Sequence, residues 1–524
     1  MSKISVLDCT LRDGGYCNAW RFGQRNIKKI IAGLAESDIG IIECGFLTQK
    51  TEYDTDVSKF NTLEQIKNVL PKDRLGKLYV AMINYGEYQI SDLPECDMSS
   101  VQGIRLAFHK NNCADALSLC KKIKEKGYQV FVQPMVSMNY SDEEFIELIR
   151  CTNELNPYAF YIVDSFGSMQ KKELLRLFYI VEHNLDSQIR IGFHSHNNMQ
   201  LAFSNAQALI NVRGNRELIL DSSVYGMGRG AGNLNTELLV EYLNTYADSE
   251  YQIKPLLHII DEILNNFYKQ NYWGYSLPNY ISAKYNSHPN YAGYLADKNT
   301  LTVEDMDSIF EMMEQEKRAE FDKNYIETLY IKYMERESVQ NHHLKELMNR
   351  LEGKKVLLIA PGRSSVEEKD KIMRFCEEND VVTVSVNFEY PYCRTDYKFI
   401  SNIRRFAALE NTTLDNCIIT SNITAANIFL QTDYKSLLNE KDAVRDNAGL
   451  MCLRFLMDLG VKHLYLAGFD GYSHESTLNY AQKNLEMITR NAVLDAMNVG
   501  MNEILEQYRK EAEINFLTHP RKIV

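Results

Sequence analysis

The sequence predicts an α/β protein: an N-terminal (β/α)8 barrel, a helical extension, and a second, smaller Rossmann-like α/β domain. Three observations predict this architecture. Between residues 4 and 246, short β-branched runs alternate with longer amphipathic stretches, as in βα units around a parallel sheet. Eight such runs are present. The chain has 524 residues, which exceeds a single domain of about 100–200 residues.

The eight predicted strands are each followed by a plausible helix, with the exception of the third. Eight such units fit a closed barrel better than an open sheet. A flavodoxin-like or Rossmann sheet with extra strands is the alternative. The predicted strands are Ile4–Cys9, Ile39–Gly45, Lys77–Ile83, Gly103–Phe108, Gln129–Val136, Phe160–Asp164, Arg190–His194 and Leu218–Val224.

The composition changes after the barrel, which is predicted to occupy residues 1–250. Residues 251–352 are aromatic and then carry a charged helical run, Val303–Arg350, and predict a helical extension packed on the barrel. Gly353 marks a second boundary, after which βα alternation resumes in a small α/β domain, residues 353–524. Its predicted strands are Val356–Ala360, Val381–Val386, Cys417–Thr420 and His463–Ala467.

Charge and composition exclude several classes of protein. The net charge of −12 argues against broad nucleic-acid binding, which needs clustered Lys and Arg. No apolar run reaches the length of about 18 residues that predicts a membrane span. The eleven cysteines contain no CxxC pair, so neither a zinc knuckle nor a disulfide framework is predicted. A cytoplasmic location is therefore expected.

Polar residues gather at the predicted strand ends, where barrel active sites form. His194 and His196 are two apart on one strand, so both project to the same face and can hold one ion. Two hydrogen-bonded strand-end histidines are the alternative. Asp13, after the first strand, faces them across the barrel mouth and completes a mixed nitrogen and oxygen site. Such a site suits Mn²⁺ or Mg²⁺, with Co²⁺ or Zn²⁺ as alternatives, and leaves room for a 2-oxo acid.

Three motifs resemble those of the DRE-TIM metallolyases, the HMGL-like superfamily. LDCTLRDGG at Leu7–Gly15 resembles the signature of that superfamily. GFHSHNN at Gly192–Asn198 resembles its strand-7 element, and GMGRGAGN at Gly226–Asn233 resembles its glycine-rich loop. YIVDS at Tyr161–Ser165, with the aromatic extension, is similar to the 4-hydroxy-2-oxovalerate aldolase branch.

This resemblance implies a metal-dependent aldolase or lyase that acts through a pyruvate enolate, with Asp13, His194 and His196 as metal ligands. Its implied substrates are pyruvate or a related 2-oxo acid and an aldehyde. An acyl-CoA/2-oxo acid Claisen-type synthase and a non-catalytic binding or scaffold protein are the alternatives. A homo-oligomer is also expected.

The resemblance also implies roles for residues around the metal. Arg12 would stabilise the developing enolate oxygen, for which a permanently charged fork is well suited. Its alternative role is a structural ion pair with Glu43 or Asp164, two residues predicted to support the site by hydrogen bonding. Ser165 and Asn233 are predicted to bind substrate, and Asn233 is alternatively a fourth metal ligand.

The sequence departs from the family at the catalytic base. In hydroxyoxovalerate aldolases a histidine closely follows the Arg-Asp-Gly element, whereas this chain has Tyr16 there. Tyr16 is a candidate proton relay, but a phenol with an ordinary pKa of about 10 needs strong tuning to act near neutrality. Tyr275 is the other candidate. A pocket wall or a packing residue is the alternative role for each.

The C-terminal domain opens with an apolar strand that runs into a small-residue turn, VLLIAPGRSS, at Val356–Ser365. This geometry can present backbone amides and hydroxyls to a phosphate. The turn and a later segment around Asp470 are similar to nucleotide-sugar-binding domains of the sialyltransferase-like and motility-accessory-factor type. This resemblance implies a nucleotide-linked or phosphorylated substrate in bacterial glycan or sugar-acid synthesis, and a docking module is the alternative. The predicted contacts are Gly362, Ser364, Ser365 and Asp470.

Overall fold

The computed structural model describes residues 4–212, 216–335, 343–409, 413–486 and 489–523. The chain divides into two compact units. The first comprises Met1–Asn290 and Glu316–Phe321, and the second comprises Tyr291–Gln315 and Asp322–Val524. Among the described residues there is no helix with the length and apolar character needed to span a membrane.

The described residues of the first unit form nine parallel strands. They are β1 Ile4–Asp8, β2 Ile41–Leu47, β3 Lys59–Phe60, β4 Leu78–Asn84, β5 Gly103–Phe108, β6 Gln129–Pro134, β7 Ala159–Asp164, β8 Arg190–Ser195 and β9 Leu218–Ser222. Their order is β1-β9-β8-β7-β6-β5-β4-β2-β3, and pairing of β1 with β2 closes eight of them into a barrel. The predicted barrel is confirmed.

The eight barrel strands coincide with the predicted ones to within a few residues at each end. Strand β5 has the predicted bounds. The third barrel strand, β4, is followed by the 3-10 turn Ile90–Asp92, in agreement with the helix missing from the pattern. Strand β3 was not predicted, because two residues carry no periodic signal.

Helices surround the barrel, and their apolar faces pack on its strands. Gln24–Glu36, for example, buries Ile27, Ile30 and Leu34. The remaining α-helices of this unit are Leu63–Lys67, Cys113–Glu125, Asp142–Leu155, Lys171–Asn184, Ala202–Ile210, Thr236–Tyr246, Lys254–Ile259, Asn265–Gln270 and Leu277–Lys284, with a π-helical turn at Ile260–Leu264.

The inside of the barrel is lined by alternate residues of each strand, since successive side chains point to opposite faces. Its apolar part includes Ile41, Tyr161 and Ile219. Gly192 is needed beside Tyr161, because a Cβ atom there would lie 2.3 Å from the phenol ring. The same faces carry Glu43, Asp221 and His194. Each lies two residues further along its strand than Ile41, Ile219 and Gly192, respectively. The strand pattern therefore gathers polar groups at one end of an apolar core.

In the second unit, the described residues form a seven-stranded parallel sheet, as expected for a Rossmann-like domain. Its strands are β10 Lys355–Ile359, β11 Val381–Val386, β12 Tyr397–Ile400, β13 Cys417–Thr420, β14 Leu430–Thr432, β15 His463–Ala467 and β16 Glu513–Phe516. The order is β14-β13-β12-β11-β10-β15-β16, so the direction of winding reverses between β10 and β15. Strands β12, β14 and β16 were not predicted, because each has only three or four residues and contains a long polar side chain, unlike the equally short apolar run of β13.

The helical segment that was predicted as one extension, residues 251–352, is shared between the two units. Helices up to Lys284 belong to the barrel unit, where Leu256 and Ile263 join its core. Later helices belong to the second unit, because their side chains bond there: the Tyr330 hydroxyl lies 2.8 Å from that of Thr300 and 3.2 Å from that of Tyr434. Residues 336–342 of the predicted run lie outside the described residues.

The helices of the second unit flank its sheet. One of them, Ala448–Asp458, begins at the side-chain cap formed by Asn447. The α-helices are Val303–Glu311, Lys323–Met334, Leu344–Leu351, Ser364–Glu367, Lys369–Glu378, Ile403–Ala407, Ala448–Asp458 and Asn491–Tyr508, and Pro289–Asp297 spans the boundary between the units.

Candidate active site

The carboxyl ends of β1 and β8 bring several metal-ligating side chains together. Donor atoms of Cys9, Asp13 and His194 lie within 4.8 Å of one another. Asp13 Oδ2 is 3.2 Å from Nε2 of His194 and 3.6 Å from Nε2 of His196. All four side chains are buried. The structure thus brings together the three residues predicted from the sequence, and adds Cys9.

The turn after β1 holds Asp13 in place through local hydrogen bonds. The Asp13 N–H donates to the Cys9 carbonyl at 2.8 Å. The Thr10 N–H donates to Asp8 Oδ1 at 2.9 Å, and the Thr10 hydroxyl accepts from the Val224 N–H at 2.8 Å. The last bond ties the turn to the segment after β9, so the carboxylate is positioned by the barrel rather than by a free loop.

His194 is oriented by a carboxylate that the sequence analysis missed. Its Nδ1 lies 3.0 Å from Oδ2 of Asp221. The Asp221 carboxylate accepts a hydrogen bond from Nδ1–H. In the neutral ring the lone pair is then on Nε2, which faces Asp13 and is available to a metal. Burial lowers the pKa of His194, but the hydrogen bonds to Asp13 and Asp221 outweigh burial and raise it above its ordinary value.

A chain of buried charges supports this arrangement. Arg12 Nε lies 2.8 Å from Glu43 Oε2, and its Nη1 lies 3.1 Å from Asp13 Oδ2. Arg105 Nη1 lies 2.9 Å from the same Glu43 oxygen, and its Nη2 is hydrogen-bonded to Asp221. Two arginines therefore face three carboxylates, and the third carboxylate is balanced only by a proton on His194 or by a bound cation. A buried charge without compensation is costly, and a divalent cation would offset it.

Buried atoms without hydrogen-bond partners indicate where an ion and its ligands fit. Oδ1 of Asp13, Nδ1 of His196 and Oδ1 of Asn233 are buried and make no hydrogen bond to described residues. Buried polar groups are normally hydrogen-bonded, so this concentration at one place fits a bound cation and substrate. Asn233 itself is held by donation from Nδ2 to the Met227 carbonyl at 3.3 Å.

Cys9 is close to these ligands but is a poor thiolate donor. Its Sγ donates to the Ser222 carbonyl at 3.2 Å. Burial raises the pKa of the Cys9 thiol well above its ordinary value, although Arg12 opposes this rise. A thiol that stays protonated does not ligate a hard cation. The opposite holds for Asp13: burial alone would raise its pKa, but Arg12 and the two histidines keep it well below the ordinary value.

Metal affinity is expected to rise with pH. The pKa of His194 is raised above its ordinary 6.5, and its proton must leave before Nε2 can ligate. For one displaced proton, affinity should fall about tenfold per pH unit below that raised pKa and level off above it. Burial keeps His196 neutral by lowering its pKa to about 3, so it adds no second step. Titration of the metal-free protein with Mn²⁺ between pH 6 and 9 checks this, and an affinity that did not change with pH would contradict it.

Glu43 and Asp164, which were predicted to support the site, make different contacts. Glu43 contacts Arg12, as described above. Asp164 accepts the N–H groups of Ser168 and Met169 at 3.1 and 3.2 Å, and so fixes the turn after β7. Burial raises the pKa of Asp164 to about 7. Of the two predicted ion pairs for Arg12, the structure has the one with Glu43.

Neither candidate tyrosine is enclosed by the site. Tyr16 is 42% exposed, and its ring packs 4.7 Å from that of Trp20, with the Arg229 guanidinium 5.5 Å away. Tyr275 is 58% exposed and makes no hydrogen bond or ring contact to the described residues of the metal site. A proton relay at either hydroxyl stays a prediction, and the geometry favours a wall for Tyr16.

A cavity in the barrel unit is lined by Ser165 and by residues that the sequence analysis did not single out. Arg229 donates from Nη2 to the Ser165 carbonyl at 3.1 Å, and its Nη1 lies 3.4 Å from Nε2 of His288. The Ser165 hydroxyl accepts from the Val136 N–H at 2.9 Å. The cavity is lined by His109, Met135, Val136, Ser165, Phe166, Arg229, His288 and residues 319–321.

The tautomer of His288 follows from its contacts. The shorter contact is the one in which Nδ1 accepts from the Asn290 N–H at 3.2 Å, and it places the proton of the neutral ring on Nε2. Nε2 and Nη1 of Arg229, 3.4 Å apart, are then two donors without a hydrogen bond between them. Burial, and then the charge of Arg229, lower the pKa of His288 to about 3. Two donors therefore converge on one place, which suits a substrate oxygen. Arg229 lies within the glycine-rich motif, but no sequence signal pointed to His288.

In the second unit, the serines predicted to bind phosphate make hydrogen bonds to neighbouring protein groups instead. The Ser364 N–H donates to Asp470 Oδ2 at 2.7 Å, and its hydroxyl donates to the other oxygen. The Ser365 hydroxyl donates to the Gly362 carbonyl at 2.7 Å. The Asp470 carboxylate thus occupies the donors of Ser364, and a phosphate role for Ser364 and Ser365 stays a prediction. Gly362 and Asp470 line a cavity that is described below.

The barrel region is similar in sequence to a known family and to several curated proteins. Residues 3–262 match the family described as HMGL-like. A 4-hydroxy-2-oxovalerate aldolase of Geobacillus genomosp. 3 is 27% identical over 245 residues, which are 46% of this chain and 70% of that protein. A 4-hydroxy-2-oxovalerate aldolase of Pelotomaculum thermopropionicum is 28% identical over 246 residues, with the same two coverages.

A solved structure covers the same region. It is the N-terminal domain of a candidate aldolase from Bacteroides vulgatus, which is 27% identical and covers 56% of this chain and 96% of that chain, with a TM-score of 0.49. The family match ends at residue 262 and therefore concerns the first unit.

Proposed function

We propose that this chain, whose residues 3–262 match the HMGL-like family, is a divalent-metal-dependent carbon–carbon lyase that acts on a pyruvate-type 2-oxo acid. The observation that carries the proposal is the buried pocket in which Asp13 and His194 meet, beside one carboxylate more than there are arginines. Aldolases and lyases of this type need an electrophile beside the 2-oxo group, because breaking the bond α to a ketone leaves an enolate.

We propose that Asp13, His194 and His196 hold the metal, with Mn²⁺ or Mg²⁺ as the ion. When bound, the ion supplies the positive charge that stabilises an enolate. Arg12 adds to this charge, since its Nη1 lies 3.1 Å from Asp13 and its Nε is fixed by Glu43. Asn233 is the further group with an unused buried oxygen, and it fits either the ion or the substrate.

We place the second reacting oxygen between Arg229 and His288. Both groups are donors, and Ser165 lies on the same cavity wall. A neutral imidazole with its proton on Nε2 stabilises a developing alkoxide by hydrogen bonding. In the condensation direction that alkoxide is the former aldehyde oxygen. His288 would therefore act on the carbon–carbon bond-forming step and not on enolisation of pyruvate.

Replacing His288 with alanine is expected to lower kcat for the aldol reaction by about 10²–10³, the range for loss of one oxyanion donor. Exchange of the methyl protons of pyruvate should stay near the unmodified rate, because no aldehyde takes part. His109→Ala is the matched control, since His109 lines the same cavity at a partly exposed position. If His288→Ala slowed both reactions equally, the placement of the aldehyde would be wrong.

A coupled assay separates the proposed activity from its alternatives. With Mn²⁺ and a panel of aldehydes, the full chain is expected to consume pyruvate and form a 4-hydroxy-2-oxo acid. Release of free thiol from acetyl-CoA in the presence of a 2-oxo acid would indicate a Claisen-type synthase instead. A chain that catalysed neither reaction with any divalent metal would favour the binding or scaffold role.

A further inference from the structure

The second unit has a cavity at the point where its sheet reverses direction. Loops after β10 and β15 line it, with the ends of β11 and β12 beside them. In open α/β sheets ligands bind outside the carboxyl ends of the strands at such a switch point. The cavity is open to solvent on one side.

Arg405 is a buried cation in this cavity that has no acidic partner. It is 8% exposed, its Nη2 donates to the Leu485 carbonyl, and its guanidinium lies 5.4 Å from the ring of Tyr480. Among the described residues no carboxylate lies within ion-pair distance of it. Lys298, which also lines the cavity, differs because its Nζ lies 2.9 Å from Glu327. An unpaired buried charge is costly, so Arg405 is suited to an anion supplied from outside.

A helix end points to the same kind of ligand. Helix Ala448–Asp458 has 11 residues and begins at the cavity, where Asn447, Ala448 and Gly449 are lining residues. Asn447 caps the Leu450 N–H at 3.2 Å, which leaves the N–H groups of the first two helical residues without an intrahelical acceptor. The positive end of the helix dipole and such free N–H groups bind phosphate.

The carboxylates of the cavity define the rest of the ligand. Asp297 is paired with Arg490, and Asp470 accepts both donors of Ser364. Asp446 accepts the Tyr330 hydroxyl on one oxygen, and its other oxygen has no partner among the described residues. Carboxylates repel a bare anion but accept hydrogen bonds from hydroxyl groups. The ligand should therefore carry hydroxyls as well as a phosphate.

We propose that this cavity binds a hydroxyl-bearing organic phosphate, with the phosphate between Arg405 and the first turn of helix Ala448–Asp458. Nucleotides and sugar phosphates share this chemistry. The site differs from the serine turn predicted from the sequence, and it rests on observations that do not involve the barrel.

Calorimetry of the full chain tests the proposal with UDP, glucose 1-phosphate, inorganic phosphate, uridine and glucose. UDP or glucose 1-phosphate should bind at least about tenfold more tightly than inorganic phosphate, and which of them binds tells a nucleotide from a sugar phosphate. Uridine and glucose, which lack the phosphate, should not bind measurably. Absence of binding by both organic phosphates, or equal binding of uridine and UDP, would overturn the proposal.

Substitution of Arg405 locates the phosphate. Arg405→Gln should weaken binding of the organic phosphate at least about tenfold, and Arg405→Lys should recover part of that loss. Arg404→Gln removes the same charge from an exposed neighbour outside the cavity and should bind as the unmodified chain does. Circular dichroism reports whether each variant is folded. If Arg405→Gln unfolds, the affinity of Arg405→Lys tests the assignment instead. Equal affinity of the Arg405 variants and the unmodified chain would overturn the assignment.

Discussion

Replacing Asp13 with asparagine is expected to remove bound metal and to lower kcat at least about 10³-fold. The substitution keeps the shape of the side chain but deletes the charge that lies 3.2 Å from His194 and 3.6 Å from His196. Charge stabilisation of the enolate then falls, and terms of this kind are among the largest in catalysis. Elemental analysis of the purified protein and turnover with added Mn²⁺ measure the two effects.

Asp164→Asn is the matched control for this experiment. Asp164 is also a buried carboxylate at the end of a barrel strand, but it accepts the N–H groups of Ser168 and Met169. Its amide analogue should retain metal and much of the activity. If Asp13→Asn kept the metal content and turnover of the unmodified chain, the metal-dependent reaction would be excluded at this site.

Replacing Arg105 with methionine is expected to lower the free energy of unfolding by about 3–5 kcal/mol, as for other buried ion pairs that lose one partner. Arg105 is fully buried between Glu43 and Asp221. Removing it leaves two carboxylates without their main counter-charge inside the barrel. Denaturant unfolding of the metal-free protein gives the value, and the orientation of His194 by Asp221 should weaken as well.

Arg190→Met provides the comparison on another strand of the barrel, β8. Arg190 Nε lies 2.8 Å from Glu217 Oε2, but this pair is 30% and 19% exposed. Exposed and partly exposed pairs contribute about 0–1 kcal/mol, so the variant should unfold near the unmodified chain. Equal destabilisation by Arg105→Met and Arg190→Met would show that burial of the charge network does not govern stability here.

The barrel was predictable from sequence because its strands are buried on both faces and read as continuous apolar runs. The absence of a helix after β4 was also predictable, because no amphipathic stretch follows that strand. The division of residues 251–352 between two units was not predictable. A helix such as Lys323–Met334 has an apolar face in its sequence, but that face does not tell which partner covers it.

The metal-site residues Asp13, His194 and His196 were predictable because they lie at strand ends within recognisable motifs. Arg105 and Asp221 were missed, although each is a charged residue on the inward face of an apolar strand. Such a charge needs a buried partner, and the two could have been paired on that ground. Nothing in the sequence places His288 beside Arg229, because that contact depends on how the segment after the barrel folds back.

Exchange of the methyl protons of pyruvate with deuterium, followed by NMR, tests the central claim most directly, since it isolates enolisation from the choice of aldehyde. The account predicts exchange by the full chain with Mn²⁺ that is lost with EDTA, restored by added metal and absent from Asp13→Asn. It should persist in Arg405→Gln. Exchange no faster than in buffer with Mn²⁺, Mg²⁺ or Co²⁺, or exchange that EDTA leaves undiminished, would contradict the account.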